Sequence, residues 1–207
     1  MNATLAELHK EIAACRLCAQ AGFFAESSPI VVNQPIAAQP RLMLVGQAPA
    51  SPLRSKGKPF SGQAGRVLFG WLAQAGFSED EFRVQCYFTA ITKCYPGPAK
   101  SSARAGVGQG DRVPTAKERA LCHPFLLREL ALVQPKLIIT VGRLALTYFL
   151  GEVNFTEAIG EVYEREGQTI LPLPHPSGVS RWTNALENKA RLVGALEKLK
   201  KLNLLNT

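Results

Sequence analysis

The sequence predicts an α/β protein, a three-layer α/β/α sandwich around a central four-stranded parallel sheet. Short apolar segments at 41–45, 84–92, 136–142 and 169–174 have the length and composition of buried strands. Segments with helical periodicity separate them, and strands that alternate with helices favour a parallel sheet. The chain has the length of one domain, which we expect to span 1–207.

The composition is that of a globular protein with a large positive charge. Hydrophobic residues make up 46% of the chain, and no apolar run approaches the roughly 20 residues of a membrane span. Lys and Arg number 24 against 16 Asp and Glu, and the net charge of +8 favours a polyanionic partner, with nucleic acid as the leading candidate. Residues 1–15 carry no export or transit signal, so we expect a cytoplasmic protein that does not contact a membrane. We also expect a monomer.

Capping boxes mark the starts of two predicted helices. Thr4 followed by Glu7 opens a helix near the beginning of the chain, and Thr115 followed by Glu118 opens another that turns Cys122 inward. Hydrophobic periodicity predicts further helices over 63–76, 143–150 and 183–203.

The stretch 41–65 predicts a ligand pocket. Its strand ends at Gly46, and in an open α/β sheet ligands bind beyond the carboxyl ends of the strands. Gly46, Gln47 and Ala48 place backbone N–H groups and an amide around a concave turn, and Phe60 returns an aromatic ring toward it. We expect a pocket of small-molecule size here.

Five cysteines in a chain without an export signal argue against a disulfide framework. Cys15 and Cys18 have the spacing of residues that bind one metal. Cys94 follows a strand and Cys122 lies on an inward helix face, so the four can converge. Such a set suits zinc or a 4Fe-4S cluster, and buried free thiols are the alternative. Cys86, in mid-strand, is expected to be a buried thiol.

The segment HPSGVSR follows the last predicted strand and faces the same crevice. Its His175 can donate a hydrogen bond to an oxygen that becomes negative in a transition state, and the alternative is a loop histidine bound to water. Ser177, Gly178 and Ser180 offer hydroxyl and backbone donors for a phosphate, and Arg181 offers a cation that can insert into a duplex.

A basic loop, 97–113, lies beside this predicted site. It contains four glycines and three cations, Lys100, Arg104 and Arg112, against a single acid. We expect these cations to contact DNA phosphates.

Taken in order, these motifs resemble the uracil-DNA glycosylase superfamily, most closely its bacterial and archaeal iron-sulfur branch, family 4. The resemblance extends over nearly the whole chain, through CRLC, GQAP with GKPFSGQAG, ITKC, PTAKERALC, PKLIITVG and HPSGVSR. The four-cysteine set and the HPS tripeptide are specific in combination.

The resemblance implies an activity and a cofactor. Members of this family flip a deoxyuridine out of DNA and cleave its N-glycosidic bond, which requires a snug pocket, an aromatic face and a positively charged approach. It implies that Phe60 stacks on the base, that His175 stabilises the departing uracil anion, and that the loop ending at Arg181 fills the gap in the duplex. It also implies a structural 4Fe-4S cluster held by Cys15, Cys18, Cys94 and Cys122.

The pocket motifs depart from the family pattern. The family motif GEAPG carries a carboxylate, which Gln47 replaces, while Ala48 and Ser51 stand where other members have acids. An amide can orient water but cannot take its proton, so we expect Gln47 to assist catalysis only in that way. Ala90 replaces the asparagine that reads the edge of uracil, which should weaken discrimination. The 97–113 loop is also longer than is usual in the family.

We therefore expect a monofunctional glycosylase that excises uracil, with possible breadth toward other deaminated bases. A binder of abasic or damaged DNA on the same scaffold is the alternative, and an iron-sulfur redox protein is a third reading.

Overall fold

A computed structural model describes residues 4–31, 40–51, 58–99, 110–177 and 182–202. Its strands form one sheet with the spatial order β2-β1-β3-β5-β4. They are β1 (Leu42–Gly46), β2 (Cys86–Ala90), β3 (Leu137–Val141), β4 (Tyr163–Arg165) and β5 (Gln168–Leu173). The predicted α/β architecture is confirmed.

The four predicted strands are parallel neighbours, so their carboxyl ends meet at one edge of the sheet. Gly46 at the end of β1 is paired with Ala90 at the end of β2. On the other side, β1 pairs with β3 and β3 with β5, where Val141 is opposite Leu173. This edge is the crevice in which an open α/β sheet binds its ligands.

The fifth strand is an antiparallel addition to the sheet. Strand β4 pairs with β5 through a tight hairpin whose central residues, Glu166 and Gly167, have φ angles of 49° and 77°. Two successive residues with positive φ make the turn that suits the right-handed twist of paired strands. A three-residue, mostly polar strand is too short for hydrophobic periodicity to predict.

Helices cover both faces of the sheet. They are α1 (Leu5–Ala14), α2 (Leu17–Gln20), α3 (Gln63–Gln74), α4 (Glu79–Gln85), α5 (Ala116–Val133), α6 (Arg143–Leu150), α7 (Phe155–Ala158) and α8 (Leu186–Leu202), with a 3-10 turn at Trp182–Asn184. Both capping boxes are present: the Thr4 and Thr115 hydroxyls accept from the Glu7 and Glu118 amides, whose carboxylates accept from the cap backbone.

Alternate residues of each strand supply two cores. Leu42 and Leu44 of β1 pack with α3, α4 and α8, whereas Met43 and Val45 pack with α5 and α6 on the opposite face. All five residues of β1 and of β3 are buried, as expected of parallel strands covered on both sides.

The prediction that a strand begins at Val84 is wrong. Residues 79–85 form helix α4, because Ser78 accepts a hydrogen bond from the Glu81 amide and Phe82 is buried against the sheet. The strand begins only at Cys86. In the parts of the chain that the structure describes, every helix is too short or too polar to cross a bilayer.

Candidate active site

At the end of β1, where the sequence predicts a pocket, Gly46 lies beside the ring of Phe60. A Cβ on the buried Gly46 would lie 3.7 Å from the Phe60 Cζ and 3.9 Å from the Thr89 carbonyl oxygen. The Phe60 ring is half-buried and packs against Phe88, with ring centroids 6.3 Å apart. Glycine therefore leaves the aromatic edge beside the strand end open to a flat ligand.

Phe60 is held in an unusual backbone conformation. Its φ is 52°, in the left-handed region that bulky residues rarely adopt. Its carbonyl oxygen would lie 1.5 Å from a Cβ on Gly65, so helix α3 can approach this close only with glycine at that position. Non-glycine residues in this region persist where the surroundings fix them, and such positions cluster at binding sites.

The surroundings that fix Phe60 include Arg83, on helix α4. Its guanidinium donates to the carbonyl oxygens of Pro59 at 3.0 Å and Phe60 at 3.4 Å. The same group lies 4.4 Å from the centre of the Phe69 ring and 2.9 Å from a carboxylate oxygen of Glu79. A planar cation that stacks and donates at once is a rigid support for the aromatic wall.

His175 lies at the crevice, directly after β5. Gly142, which directly follows β3 and has a φ of 85°, packs against it, because a Cβ there would lie 3.4 Å from the His175 Cβ and Cδ2. The Ser177 N–H donates to the His175 Nδ1 at 3.2 Å, so the proton of the neutral ring is on Nε2. Burial lowers the pKa of His175, and the negative charge of Asp111 partly opposes this. The ring is thus a neutral Nε2–H donor.

Gln47 contacts the base of the 97–113 loop. Its Nε2 donates to the Arg112 carbonyl oxygen at 3.2 Å. Arg112 is itself fixed, since its two terminal nitrogens each lie 2.7 Å from an oxygen of the buried Glu118 carboxylate. The Arg112 guanidinium is therefore paired within the protein.

A buried polar cluster supports the end of β2, where Ala90 stands. Lys93 Nζ donates to the Ala90 carbonyl oxygen, the Thr89 hydroxyl and the Glu129 carboxylate, each at 2.7 Å. Glu129 also accepts from the Tyr87 hydroxyl at 3.0 Å. The Ala90 carbonyl thus accepts one hydrogen bond from within the protein, and the Ala90 side chain offers no polar group.

Four cysteines lie at one corner, beside this cluster. Burial and the charges of Cys122 and Cys15 raise the pKa of Cys18 to about 11, and burial with the other three sulfurs raises that of Cys94 to about 12. Because Cys15 and Cys122 act on Cys18, and all three act on Cys94, the four sulfurs are near neighbours. All are free thiols in the structure.

Backbone amides point at two of these sulfurs. The Lys93 N–H donates to the Cys122 Sγ at 3.5 Å, and the Ser28 backbone stabilises the charged form of Cys94. Among the described residues, no group of three or more metal-binding side chains has the spacing for a single ion. A cubane cluster spreads its thiolates wider than one ion does, and N–H donors to sulfur are typical of it. Cys86 is buried within β2 among the core residues, as predicted.

Other predicted site residues are placed less completely. Ala48 is half-buried next to Gln47. The contact that Ser177 makes is through its backbone N–H, which donates to His175. The remaining predicted DNA contacts lie outside the described residues: Lys100, Arg104, Gly178, Ser180 and Arg181. Sequence reasoning assigned no role to Arg83, Lys93 or Asp111: Lys93 lies within the ITKC motif, and Arg83 and Asp111 lie outside every motif.

The fold is an open α/β sheet in which Phe60 lies beside the end of β1 and His175 comes just after β5. The chain belongs to the uracil DNA glycosylase superfamily, whose family model matches residues 35–200. The resemblance found in the sequence is thereby confirmed.

Several curated relatives are named uracil-DNA glycosylases. The chain is 29% identical over 185 residues to the Type-4 uracil-DNA glycosylase of Archaeoglobus fulgidus, covering 85% of this chain and 83% of that protein. It is 29% identical to the Type-4 enzyme of Thermotoga maritima, over 68% of this chain and 67% of that one. A Type-5 uracil-DNA glycosylase of Pyrobaculum aerophilum is 31% identical, over 70% of this chain and 65% of its own.

Proposed function

We propose that the protein excises uracil from DNA by hydrolysing the N-glycosidic bond and leaves an abasic site. The observation that carries this proposal is the neutral His175 just after β5, whose Nε2–H takes no part in the Ser177 contact. Cleavage of the bond leaves an anion on the base, and a fixed neutral donor stabilises that charge without having to lose a proton.

The base stacks on Phe60 above Gly46, where the absence of a side chain leaves room for it. Discrimination among bases relies on shape and backbone groups, because Ala90 has no polar side chain and Gln47 donates to Arg112. A site without a bidentate reader rejects other bases less strictly. We therefore propose that hypoxanthine or xanthine is also excised, more slowly than uracil.

We propose that cations of the loops beside the crevice hold the DNA. We assign the gap-filling loop to Ser177, Gly178, Ser180 and Arg181, and the phosphate contacts to Lys100 and Arg104. Arg112, also predicted as a phosphate contact, has its charge balanced by Glu118. We propose that its contribution to DNA binding is to brace the loop.

Cys15, Cys18, Cys94 and Cys122 would hold a 4Fe-4S cluster with a structural role. The shared corner, the absence of disulfides among these four cysteines and the amide donors support a site for a metal group, and the family resemblance favours a cluster over zinc. An absorption band in the visible that bleaches on reduction, with four irons per chain, is the expected result. Stoichiometric zinc would contradict it.

The experiment that tests the activity is single-turnover excision from labelled oligonucleotides. The panel contains uracil, hypoxanthine, xanthine and mispaired thymine, each in single- and double-stranded DNA. We expect uracil to be released fastest. A protein that binds these strands but releases no base would overturn the proposal and leave the alternative, a binder of damaged or abasic DNA, which the missing motif carboxylate at Gln47 favours.

A further inference from the structure

Asp111 is an acidic residue at the crevice that lies outside every motif. It is half-buried, and its carboxylate accepts no hydrogen bond from any residue that the structure describes. Its backbone lies in a short antiparallel bridge opposite Pro98. Hydrogen bonds from Ala99 to Gly110, at 2.8 Å, and from Arg112 to Gly97, at 3.0 Å, flank it.

Two contacts hold this bridge at the pocket. Gln47, directly after β1, donates to the carbonyl of Arg112, the residue that follows Asp111. The carboxylate of Glu118, at the start of α5, accepts two hydrogen bonds from the Arg112 guanidinium. Asp111 is therefore fixed at the strand end that carries the GQAP motif.

The charge of Asp111 also reaches His175. It is the acid that acts on this imidazole, where it counteracts the effect of burial on the pKa. Asp111 therefore directly precedes the residue whose backbone Gln47 holds, and lies close enough to His175 for its charge to act on the imidazole.

The other acids beside the crevice form ion pairs within the protein. Glu118 is paired with Arg112, and Glu129 is paired with Lys93. Among the acids that the structure describes at this edge, Asp111 alone has a carboxylate without an ion-pair partner.

We propose that Asp111 is the catalytic carboxylate of this site and takes the place of the acid missing from the GQAP motif. The inference rests on the proposed function. In the reaction, the bond between the sugar C1′ and uracil N1 breaks, and its electron pair leaves with the base. The water oxygen forms the new bond to C1′, and its proton passes to the Asp111 carboxylate. Gln47 orients the water, and the negative charge of Asp111 stabilises the positive sugar before the water attacks.

The test compares Asp111→Asn with the unmodified protein in single-turnover excision of uracil from duplex DNA. Asn is isosteric but accepts no proton, so we expect the rate to fall at least about 100-fold. Affinity for a duplex with a non-hydrolysable 2′-fluoro-deoxyuridine is expected to stay the same or rise, because a negative charge near DNA is removed. Asp111→Ala gives the same test should the Asn variant fold poorly.

The matched control is Asp80→Asn, which makes the same change on the exposed first turn of α4 and should leave the rate unaltered. In the free protein, NMR titration should show a lower pKa for His175 in Asp111→Asn than in the unmodified chain.

An unaltered rate in Asp111→Asn and Asp111→Ala would overturn the inference while leaving the proposed function intact. A slower rate with weakened analogue binding would also overturn it, since Asp111 would then serve binding. If the unmodified protein releases no base, the proposed function itself fails, and this inference with it.

Discussion

Lys93 and Glu129 form an ion pair in the interior of the protein, with 2.7 Å between the Nζ and Oε2 atoms and side-chain exposures of 5% and 4%. The pair joins the residue next to Cys94 to helix α5 and, through the Ala90 carbonyl, to the end of β2. It therefore connects the cysteine corner to the pocket.

Replacing Lys93 by Met should lower the free energy of unfolding by about 3–5 kcal/mol, because Glu129 would remain as an unpaired buried charge. Chemical denaturation measures this. Lys198→Met is the control: its pair with Glu161 is exposed, so its loss should cost less than about 1 kcal/mol. Equal losses in the two variants would contradict the role of burial.

Replacing Gly65 by Ala should displace Phe60, because the new Cβ would overlap the Phe60 carbonyl oxygen. We expect a loss of stability of about 2 kcal/mol or more and weaker binding of the uracil analogue. Gly70→Ala, on the same helix with open space around it, should instead stabilise the protein by up to about 1 kcal/mol. Normal analogue binding by Gly65→Ala would show that the position of Phe60 does not matter.

Replacing Arg83 by Lys keeps the charge but loses the planar fork that binds the Pro59 and Phe60 carbonyls. The affinity for the analogue duplex should fall about tenfold, as expected for the loss of hydrogen bonds from a charged group. Glu79→Gln weakens the ion pair of Arg83 without removing the fork and should leave the affinity near its original value. An affinity loss of the same size in Glu79→Gln would argue against positioning by the fork.

Glu118 should make stability depend on pH in the acid range. The Arg112 guanidinium holds the pKa of this buried carboxyl at about 2, below its value in the unfolded chain. The contribution is therefore complete above the ordinary Glu pKa of about 4.3 and is lost as the pH falls toward 2, with a size of about 3 kcal/mol. Denaturation of Glu118→Gln across this range should show a flatter profile, whereas Glu11→Gln, in an exposed pair, should keep the original one.

Replacing His175 by Ala should lower single-turnover excision at least about tenfold, since one donor to the leaving anion is lost. His123→Ala, a change on an exposed part of α5, is the control and should retain the rate. A His175→Ala protein with the original rate would exclude this role.

The sheet was predictable because parallel strands buried on both faces leave continuous apolar runs, of which Leu137–Val141 is the clearest. The capping boxes at Thr4 and Thr115 were also predictable, since the hydrogen-bonding partners in each box lie only three residues apart. The start of β2 could not be predicted. Val84 is a residue that favours strands, and residues 79–85 are helical because Phe82 packs in the core and Ser78 caps the helix.

The supporting residues of the site could not be predicted, because their partners are distant in sequence. Gln47 meets Arg112 across 65 residues, and Lys93 meets Glu129 across 36. Its charge led to the prediction that Arg112 contacts phosphate. Glu118 is recognisable in the sequence as part of a capping box, but nothing there indicates that it also binds the Arg112 guanidinium.

Because Gln47 donates a hydrogen bond to the Arg112 carbonyl, the effect of a substitution at position 47 depends on residues 110–112. The amide is the donor in this bond, and a glutamate at 47 would set carboxylate oxygen against carbonyl oxygen. Gln47→Glu would therefore lose the contact that holds residues 110–112, and with it the position of Asp111. If Asp111 has the proposed role, restoring GEAP in this chain alone would displace one carboxylate while it introduces another.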